Sequence, residues 1–331
     1  MKSSHRNFYK GKRVLVTGGA GFIGSYLVEA LVSVGANITV IDNLSRGKMK
    51  NLQGVKNDIT FHLLDLRIES TLKKVIHDQD LVFNLAALNT GINYDIGRTQ
   101  KMFEENMLLQ MIPLRVAAAE GVKRFIQVSS ASIYSREVME RQSPIKETDD
   151  NGEPEPSKLG YALAKRMGER LSHWYSENSS METVIARFIN VYGVRDHVDG
   201  IGHCIPELIK KFNGASVSVD VFGSGKQKRS FIHVADVVEA LLLLGERGVN
   251  GEVYNVDSDD EYSVTEIVQL LQKCMKKQDI QVNYDTTKPE GSKRRLLDAT
   301  KLRRLGWGPK HNLRENIDEI IVDVIQQSRR T

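Results

Sequence analysis

Tyr161 and Lys165 stand four positions apart, and upstream of them runs Ser129-Ser130-Ala131-Ser132-Ile133-Tyr134. On a helix, residues four apart share a face, so the phenol and the ammonium would point the same way. A neighbouring cation favours the ionised phenol, which makes Tyr161 a candidate base near neutral pH. Ser130 would hydrogen-bond the same substrate oxygen. Such a set suits hydride transfer to or from a hydroxyl-bearing carbon. A Tyr-x-x-x-Lys pair alone is common by chance, so its meaning depends on the elements that position it.

The N-terminal segment supplies that context. Arg13-Val14-Leu15-Val16-Thr17 has the apolar, β-branched character of a short buried strand. It leads into Gly18-Gly19-Ala20-Gly21-Phe22-Ile23-Gly24, and then into a helical apolar pattern over 25–32. Gly18 permits the tight turn, Gly21 lets backbone approach a pyrophosphate, and Gly24 lets the helix pack close to the sheet. The first helical amides then face the phosphates. A second strand, Ile38-Thr39-Val40-Ile41, ends at Asp42. An acidic side chain there accepts from a ribose 2′-hydroxyl and repels a 2′-phosphate, which favours NAD. Arg46 and Lys48 keep NADP as the alternative.

Strand and helix patterns continue to alternate. Ile59–Leu64 ends at Asp65, whose side chain could meet the adenine, with Leu66 next. A strand over Asp80–Ala87 ends in the small residues Ala86 and Ala87 after Leu85, suited to close approach of a cofactor. A helix is predicted around Met107–Glu120, stopped by Gly121. The strand Arg124–Val128 delivers the serine run at its carboxyl end, where ligands bind in doubly wound sheets. The segment Ser143–Lys158 reads as a loop before the Tyr161 helix. Beyond the strand Ile185–Phe188 the alternation becomes irregular. A loop over Tyr192–His203 is broken by Gly193, Asp196, Asp199 and Gly200, and a helix over Ile205–Phe212 follows. Val219–Phe222 and Phe231–Asp236 suggest strand, turn and helix start, with the helix at Val237–Leu244. Two amphipathic helices (Val264–Lys276, Leu313–Gln327) close the chain. The expected fold is α/β, a doubly wound parallel sheet with a smaller C-terminal lobe. Residues 1–186 form the dinucleotide domain, with 215–247 returning to it; 187–214 and 248–331 form the substrate lobe.

The 331 residues, 40% of them hydrophobic, suffice for a sizeable core. The net charge of +4 is mild and dispersed, which argues against a nucleic-acid partner or a polybasic membrane patch. No signal peptide or membrane span is evident. Cys204 and Cys274 are far apart, so a reduced, cytoplasmic protein without disulfide or metal site is expected.

The set formed by Thr17–Gly24, Asp42–Ser45, Asn84–Ala87, Ser129–Tyr134, Tyr161–Lys165, Arg187–Gly193 and Arg229–Asp236 resembles the extended short-chain dehydrogenase/reductases of the nucleotide-sugar epimerase and dehydratase group. The likeness covers essentially the whole chain. It implies a nucleotide-diphosphate sugar as substrate and catalysis through Ser130, Tyr161 and Lys165. It further implies NAD held by Gly18, Gly21, Phe22, Ile23, Gly24, Asp42, Asn43, Asp65, Leu66, Leu85, Ala86, Ala87 and Asn106, together with Tyr161 and Lys165. A homodimer is expected from the resemblance only.

Two stretches are closest to GDP-fucose synthase and GDP-mannose 3,5-epimerase. They are Gly202–Phe212 and Lys288–Asp298, with Thr90-Gly91-Ile92-Asn93 a looser echo. GDP-fucose synthase has an acid/base histidine at the position of His203. Those enzymes pair such a group with a cysteine, where this chain has Ser132. An unactivated hydroxyl moves protons less readily than a thiol near pH 7. GDP-fucose synthase consumes NADPH, whereas Asp42-Asn43-Leu44-Ser45 resembles NAD-retaining 4-epimerases. The dehydratase branch has an Asp-Glu pair where Ala131-Ser132 stands.

Each candidate has a plainer alternative. Ser132 is either a substrate contact or turn filler, and His203 either an acid/base or a helix-start cap. His233 is expected to be structural. Arg229 and Arg294 are candidate diphosphate partners because guanidinium groups bind phosphate bidentately; Asn190 is a further substrate contact. Phe222 either stacks on the base or packs within its strand, and Lys211 is either a basic contact or a solvated helix end. The expected activity is NAD-dependent epimerisation of a nucleotide sugar, GDP-sugars first and UDP-sugars next, through a transient keto sugar. A keto-sugar epimerase/reductase and a sugar 4-dehydrogenase are the alternatives.

Overall fold

The computed structural model describes residues 3–95, 97–141, 143–198, 202–288 and 291–329. Asp199 and Gly200 of the expected loop, and Pro289 and Glu290 of the Lys288–Asp298 stretch, lie outside the described residues, as do the side chains of Ile92 and Asn93.

Val14, Leu15 and Val16 are wholly buried, as a central parallel strand covered on both faces requires. Among the described residues, Arg13–Thr17 lies inside a seven-stranded sheet. Its spatial order is Val253–Val256, Glu182–Phe188, Arg124–Ser130, Leu81–Asn84, Arg13–Thr17, Asn37–Asp42 and Ile59–Leu63. All pairings are parallel. The order reverses between Arg13–Thr17 and Leu81–Asn84, which opens a crevice at the carboxyl ends of the strands. One face carries the paired helices Thr99–Ala119 and Leu159–Asn178; elsewhere Phe22–Ser33 packs against Val234–Arg247.

The smaller lobe has its own core, with Ile209, Phe212, Ile267, Leu271, Leu313 and Ile317 buried. Its strands are Asn190–Tyr192, Lys228–His233, Glu261–Ser263 and Arg294–Arg295, plus the parallel pair Ser218–Phe222 and Gln281–Asp285. Cys204–Gly214, Val264–Cys274 and Leu313–Ser328 are its main helices.

Three strands lie on the other side of the expected domain boundary, among them Lys228–His233, which pairs with Glu261–Ser263, Arg294–Arg295 and Asn190–Tyr192 in the lobe. Ser218–Phe222 pairs with Gln281–Asp285 in the lobe, while Val253–Val256 closes the large sheet against Glu182–Phe188. All three are short strands whose partners are distant in sequence, so local pattern did not assign them. The expected helix at Met107 starts at Thr99 instead. Its first two turns bury only Met102 and Asn106, which dilutes the apolar periodicity. The strand expected over Asp80–Ala87 ends at Asn84, leaving Leu85–Ala87 as loop. Lys228–His233 runs straight into the helix Val234–Arg247 without a turn; the His233 ring accepts from the Ala235 amide as its cap.

Candidate active site

A cleft of about 800 Å³ lies at the carboxyl ends of the strands, between sheet and lobe. Gly18, Gly21, Phe22, Ile23 and Gly24 form one wall. Gly18 has a positive φ of 66°. A Cβ on Gly24 would sit 2.2 Å from the Gly18 carbonyl oxygen, and one on Gly21 3.1 Å from it. No side chain caps the helix at Gly21, so its first amides are left for an anion. Asp42 is buried; its carboxylate accepts from the Ala20 amide at 3.0 Å and the Leu44 amide at 2.8 Å. Burial pushes its pKa up, opposed by those two amides. A Cβ on Gly47 would lie 2.7 Å from both Asp42 oxygens, so that carboxylate faces open backbone. These residues fit the diphosphate and ribose of a dinucleotide. Lys48 donates to the Gln327 side chain at 3.0 Å, and Arg46 donates to the Asn89 carbonyl.

Asn43, Leu66, Leu85, Ala86 and Ala87 also line the cleft. Two expected cofactor residues are placed differently. Asp65 is outside the lining, its carboxylate accepting from the Arg67 amide and Nε, both at 2.9 Å. Arg67 beside it holds that carboxyl below its usual range. Asn106 lies behind the wall, accepting from the Leu88 amide at 2.9 Å and donating to the Leu88 carbonyl at 3.0 Å. It shapes the loop rather than facing the cleft.

Tyr161 and Lys165 project from the first turns of Leu159–Asn178, and the strand Arg124–Ser130 brings Ser130 to them. All three line the cleft with Ser132. The Lys165 ammonium donates to the Val128 carbonyl at 2.7 Å and Gln110 Oε1 at 3.3 Å, 5.9 Å from the Tyr161 ring centre. Burial pushes Lys165 down to about 7, opposed by Glu169. Burial also pushes the Tyr161 phenol well above its ordinary value, opposed by its hydrogen bond with Ser130. The expected lowering of the phenol by Lys165 is thus reversed. Desolvation disfavours phenolate and ammonium alike and outweighs their attraction. Ser130 Oγ accepts from the Ser132 amide and lies 3.2 Å from Ser132 Oγ.

Beneath the serines lies a buried polar network. Ser129 donates to Glu169, whose carboxylate takes two bonds from Arg187, at 3.0 and 2.7 Å. Arg187 also donates to the Tyr134 hydroxyl at 2.9 Å and the Glu147 carbonyl at 2.7 Å. Because each removed partner would leave a buried charge, the network holds this strand end rigidly.

Opposite stands His203, where Cys204–Gly214 begins. Its Nδ1 is 3.0 Å from both Asp196 carboxylate oxygens, and its Nε2 is 3.3 Å from Asn89 Nδ2. Asn190, Lys211, Phe222 and Arg229 line the same side. Lys211 lies over the Phe222 ring at 4.6 Å and donates to the Asp220 carbonyl at 2.7 Å. Arg294 does not line the cleft: its guanidinium pairs with Glu261 at 2.7 and 3.1 Å. Side chains alternate along a strand, so it is Arg295, in register with Arg229, that faces the cleft. Arg295 bonds Glu155 at only 3.4 Å.

The sequence pattern does not single out Arg295, Lys158, Asn89 or the partnership of Asp196 with His203. Lys158, three residues before Tyr161, had a signal in its spacing. Asn89 and Asp196 had none, because their partners come from other segments.

The profile described as "NAD dependent epimerase/dehydratase family" matches residues 14–257. UDP-N-acetyl-alpha-D-glucosaminuronate decarboxylase of Bacillus cytotoxicus is 31% identical, covering 89% of this chain and 91% of its own. GDP-mannose 3,5-epimerase 1 of Oryza sativa subsp. indica is 29% identical over 92% of this chain and 79% of its own. UDP-glucose 4-epimerase of Thermotoga maritima, solved with UDP-glucose, superposes with a TM-score of 0.86 at 28% identity. That match covers 96% of this chain and 99% of the other.

Proposed function

We propose, from the premise that this chain belongs to the NAD-dependent epimerase/dehydratase family, that it epimerises a nucleotide-diphosphate sugar by oxidising a sugar hydroxyl, the C4 hydroxyl first, and reducing the product on its other face. The observation that carries this reading is the shared cleft of Ser130, Tyr161 and Lys165 with the open helix start at Gly21 and the Asp42 carboxylate. Bound there, NAD would supply the hydride acceptor and, once reduced, the hydride donor. Tyr161 takes the hydroxyl proton as phenolate, the form that a bound oxidised nicotinamide and Lys165 would favour against burial, Ser130 hydrogen-bonds the same oxygen, and Lys165 would hold a cofactor ribose hydroxyl. Tyr161 would return the proton once the keto sugar has turned over and been reduced, so no external reductant is consumed. Arg229 and Arg295 bracket the substrate diphosphate from adjacent strands, and Phe222 stacks on the base.

GDP-sugars are the first choice for the nucleotide, supported by the likeness of Gly202–Phe212 and Lys288–Asp298 to guanosine-sugar enzymes and by the position of His203 in the cleft. A uridine sugar is the second reading, favoured by the Bacillus and Thermotoga relatives. We also expect a homodimer through the paired helices, where Leu108, Met167 and Trp174 are exposed. A reducing, cytoplasmic setting agrees with the free Cys204 and Cys274; among the described residues no helix is long and apolar enough to cross a membrane.

The test is NMR of GDP- and UDP-sugars incubated with the protein and NAD in deuterated water without reductant. A new sugar free of carbon-bound deuterium supports hydride removal and return. Deuterium at C3 or C5 instead brings His203 and Ser132 into proton transfer at carbon. Turnover only with added NADPH defeats the epimerase reading in favour of a reductase, and accumulating NADH favours a dehydrogenase.

A further inference from the structure

Lys165 is the cation that the proposed chemistry uses, yet a second lysine lies half-buried against the same phenol. The Lys158 ammonium sits 5.5 Å from the Tyr161 ring centre, slightly closer than that of Lys165. It donates to Asn89 Oδ1 at 3.2 Å and to the Thr90 carbonyl, and it lies 3.5 Å from an Asp95 oxygen. Asp95 is 4% exposed, and its other oxygen accepts from the Thr90 hydroxyl. Neither Thr90, Asp95 nor Lys158 belongs to the serine, tyrosine and lysine set. Desolvating a lysine and an aspartate is costly, and well-packed apolar residues often serve stability as well. A structural account therefore leaves the placement of this pair beside the Tyr161 phenol unexplained.

We propose that the Asp95–Lys158 ion pair is a positioning device that sets the ionisation of Tyr161. Lys158 presents a second positive charge to the phenol, and Asp95 anchors that charge while limiting its effect. The inference rests on the reading of Tyr161 as the hydroxyl base. Charges in a low-dielectric site act over several ångströms, so the Lys158 ammonium, 5.5 Å from the ring centre, should oppose at the phenol the charge that Asp95 exerts there. Burial is the main cause of the high phenol pKa, with Ser130 lowering it and Asp95 raising it further. Burial likewise lowers Lys158, with Asp95 raising it and Arg295 and Arg46 lowering it. The polar and charged groups about the phenol are therefore Lys158 and Lys165 on its own segment, Asp95 and Ser130, with Arg46 and Arg295 acting on Lys158. Glu155 and Glu169 face Arg295 and Lys165 in turn, and Asp196 with His203 stands across the cleft.

The experiment places a fluorinated tyrosine, whose phenol is more acidic than tyrosine's, at position 161 of the NAD-loaded protein. Its fluorine resonance is followed against pH. Asp95→Asn removes the negative charge and should lower the midpoint; Lys158→Met removes the positive charge and should raise it. Each shift should reach about half a pH unit, roughly threefold in the ionisation constant. The double variant, with no buried unpaired charge, should fall between the singles. Should Lys158→Met fail to fold, the higher midpoint of the double variant relative to Asp95→Asn gives the same sign. Midpoints that do not move, or that move in one direction for both variants, overturn the proposal. Full turnover by Tyr161→Phe would instead overturn the catalytic reading of Tyr161 and leave the measured coupling standing.

Discussion

The dinucleotide half and the substrate lobe contribute to one cleft by different routes. On the dinucleotide side, Gly18 to Gly24 form a single strand–turn–helix, and Asp42 ends the adjacent strand. The geometry there is carried by backbone, with a Cβ on Gly24 excluded by the Gly18 carbonyl oxygen. On the lobe side, Asn190, His203, Lys211, Phe222, Arg229 and Arg295 come from separate elements. Their placement depends on strand register and on contacts such as Asp196 with His203. The first half carries its function locally, whereas the second carries it through packing.

The largest expected effect strikes where the halves meet. Tyr161→Phe should lower turnover by roughly 10³-fold, within the range for loss of a general acid–base group, while NAD still binds. Stopped-flow absorbance and a cofactor-binding titration check the two parts. Equal loss of binding would make Tyr161 a structural residue of the dinucleotide half.

Gly24→Val should come next. Its Cβ would fall 2.2 Å from the Gly18 carbonyl oxygen, so helix and turn must separate. Loss of NAD retention in the purified protein, measured by extraction and absorbance, is the expected result. Retained NAD would show that backbone closeness matters less on this side than the two-route picture requires.

Arginines sharpen the lobe side. Arg295→Met should weaken nucleotide-sugar affinity about tenfold, the scale of one charge-assisted contact. Arg294→Met, whose partner is Glu261, should change affinity little. Calorimetry with UDP-glucose and with GDP-mannose reads both, and equal effects would mean that strand alternation does not select the ligand-facing arginine.

Lys165 gives a pH dependence. Its pKa is about 7 in the fold, below the roughly 10.4 of an unfolded lysine. Between those values the unfolded chain binds the extra proton, so stability rises with pH. The burial cost of Lys165 is fully present below about pH 7 and is relieved toward pH 10. Urea melts of cofactor-free protein should show Lys165→Met gaining most stability at the acid end. A gain independent of pH would remove the lysine's titration as its cause.

The smallest effect concerns association. Met167 and Trp174 are seven residues apart on one helix and exposed. Trp174→Glu should shift sedimentation toward monomer with the cofactor cleft unaltered; an unchanged profile removes this face as the contact.

Much of the dinucleotide half was legible because its signals are contiguous. Val14–Val16 announced a buried strand, and the glycines that follow announced the turn. The Tyr161–Lys165 pair was legible for the same reason, being two residues of one helix. The sequence points to Arg294 and not to Arg295, because nothing local tells which side of a two-residue strand faces the cleft. The turn of Asp65 toward Arg67, out of the cleft lining, is not written in its strand.

By itself, then, the sequence determined the alternating strands and helices, the glycine turn, the acid at Asp42 and the spacing that puts Tyr161 and Lys165 on one helix face, since each follows from short-range periodicity and backbone freedom. Tertiary structure alone decided the rest: Val253–Val256 as the seventh strand, Arg295 beside Arg229, Asp196 behind His203, and Lys158 with Asp95 beside Tyr161. It also decided the direction of the Tyr161 shift. Charge proximity can be guessed along a helix, but desolvation depends on everything packed around it.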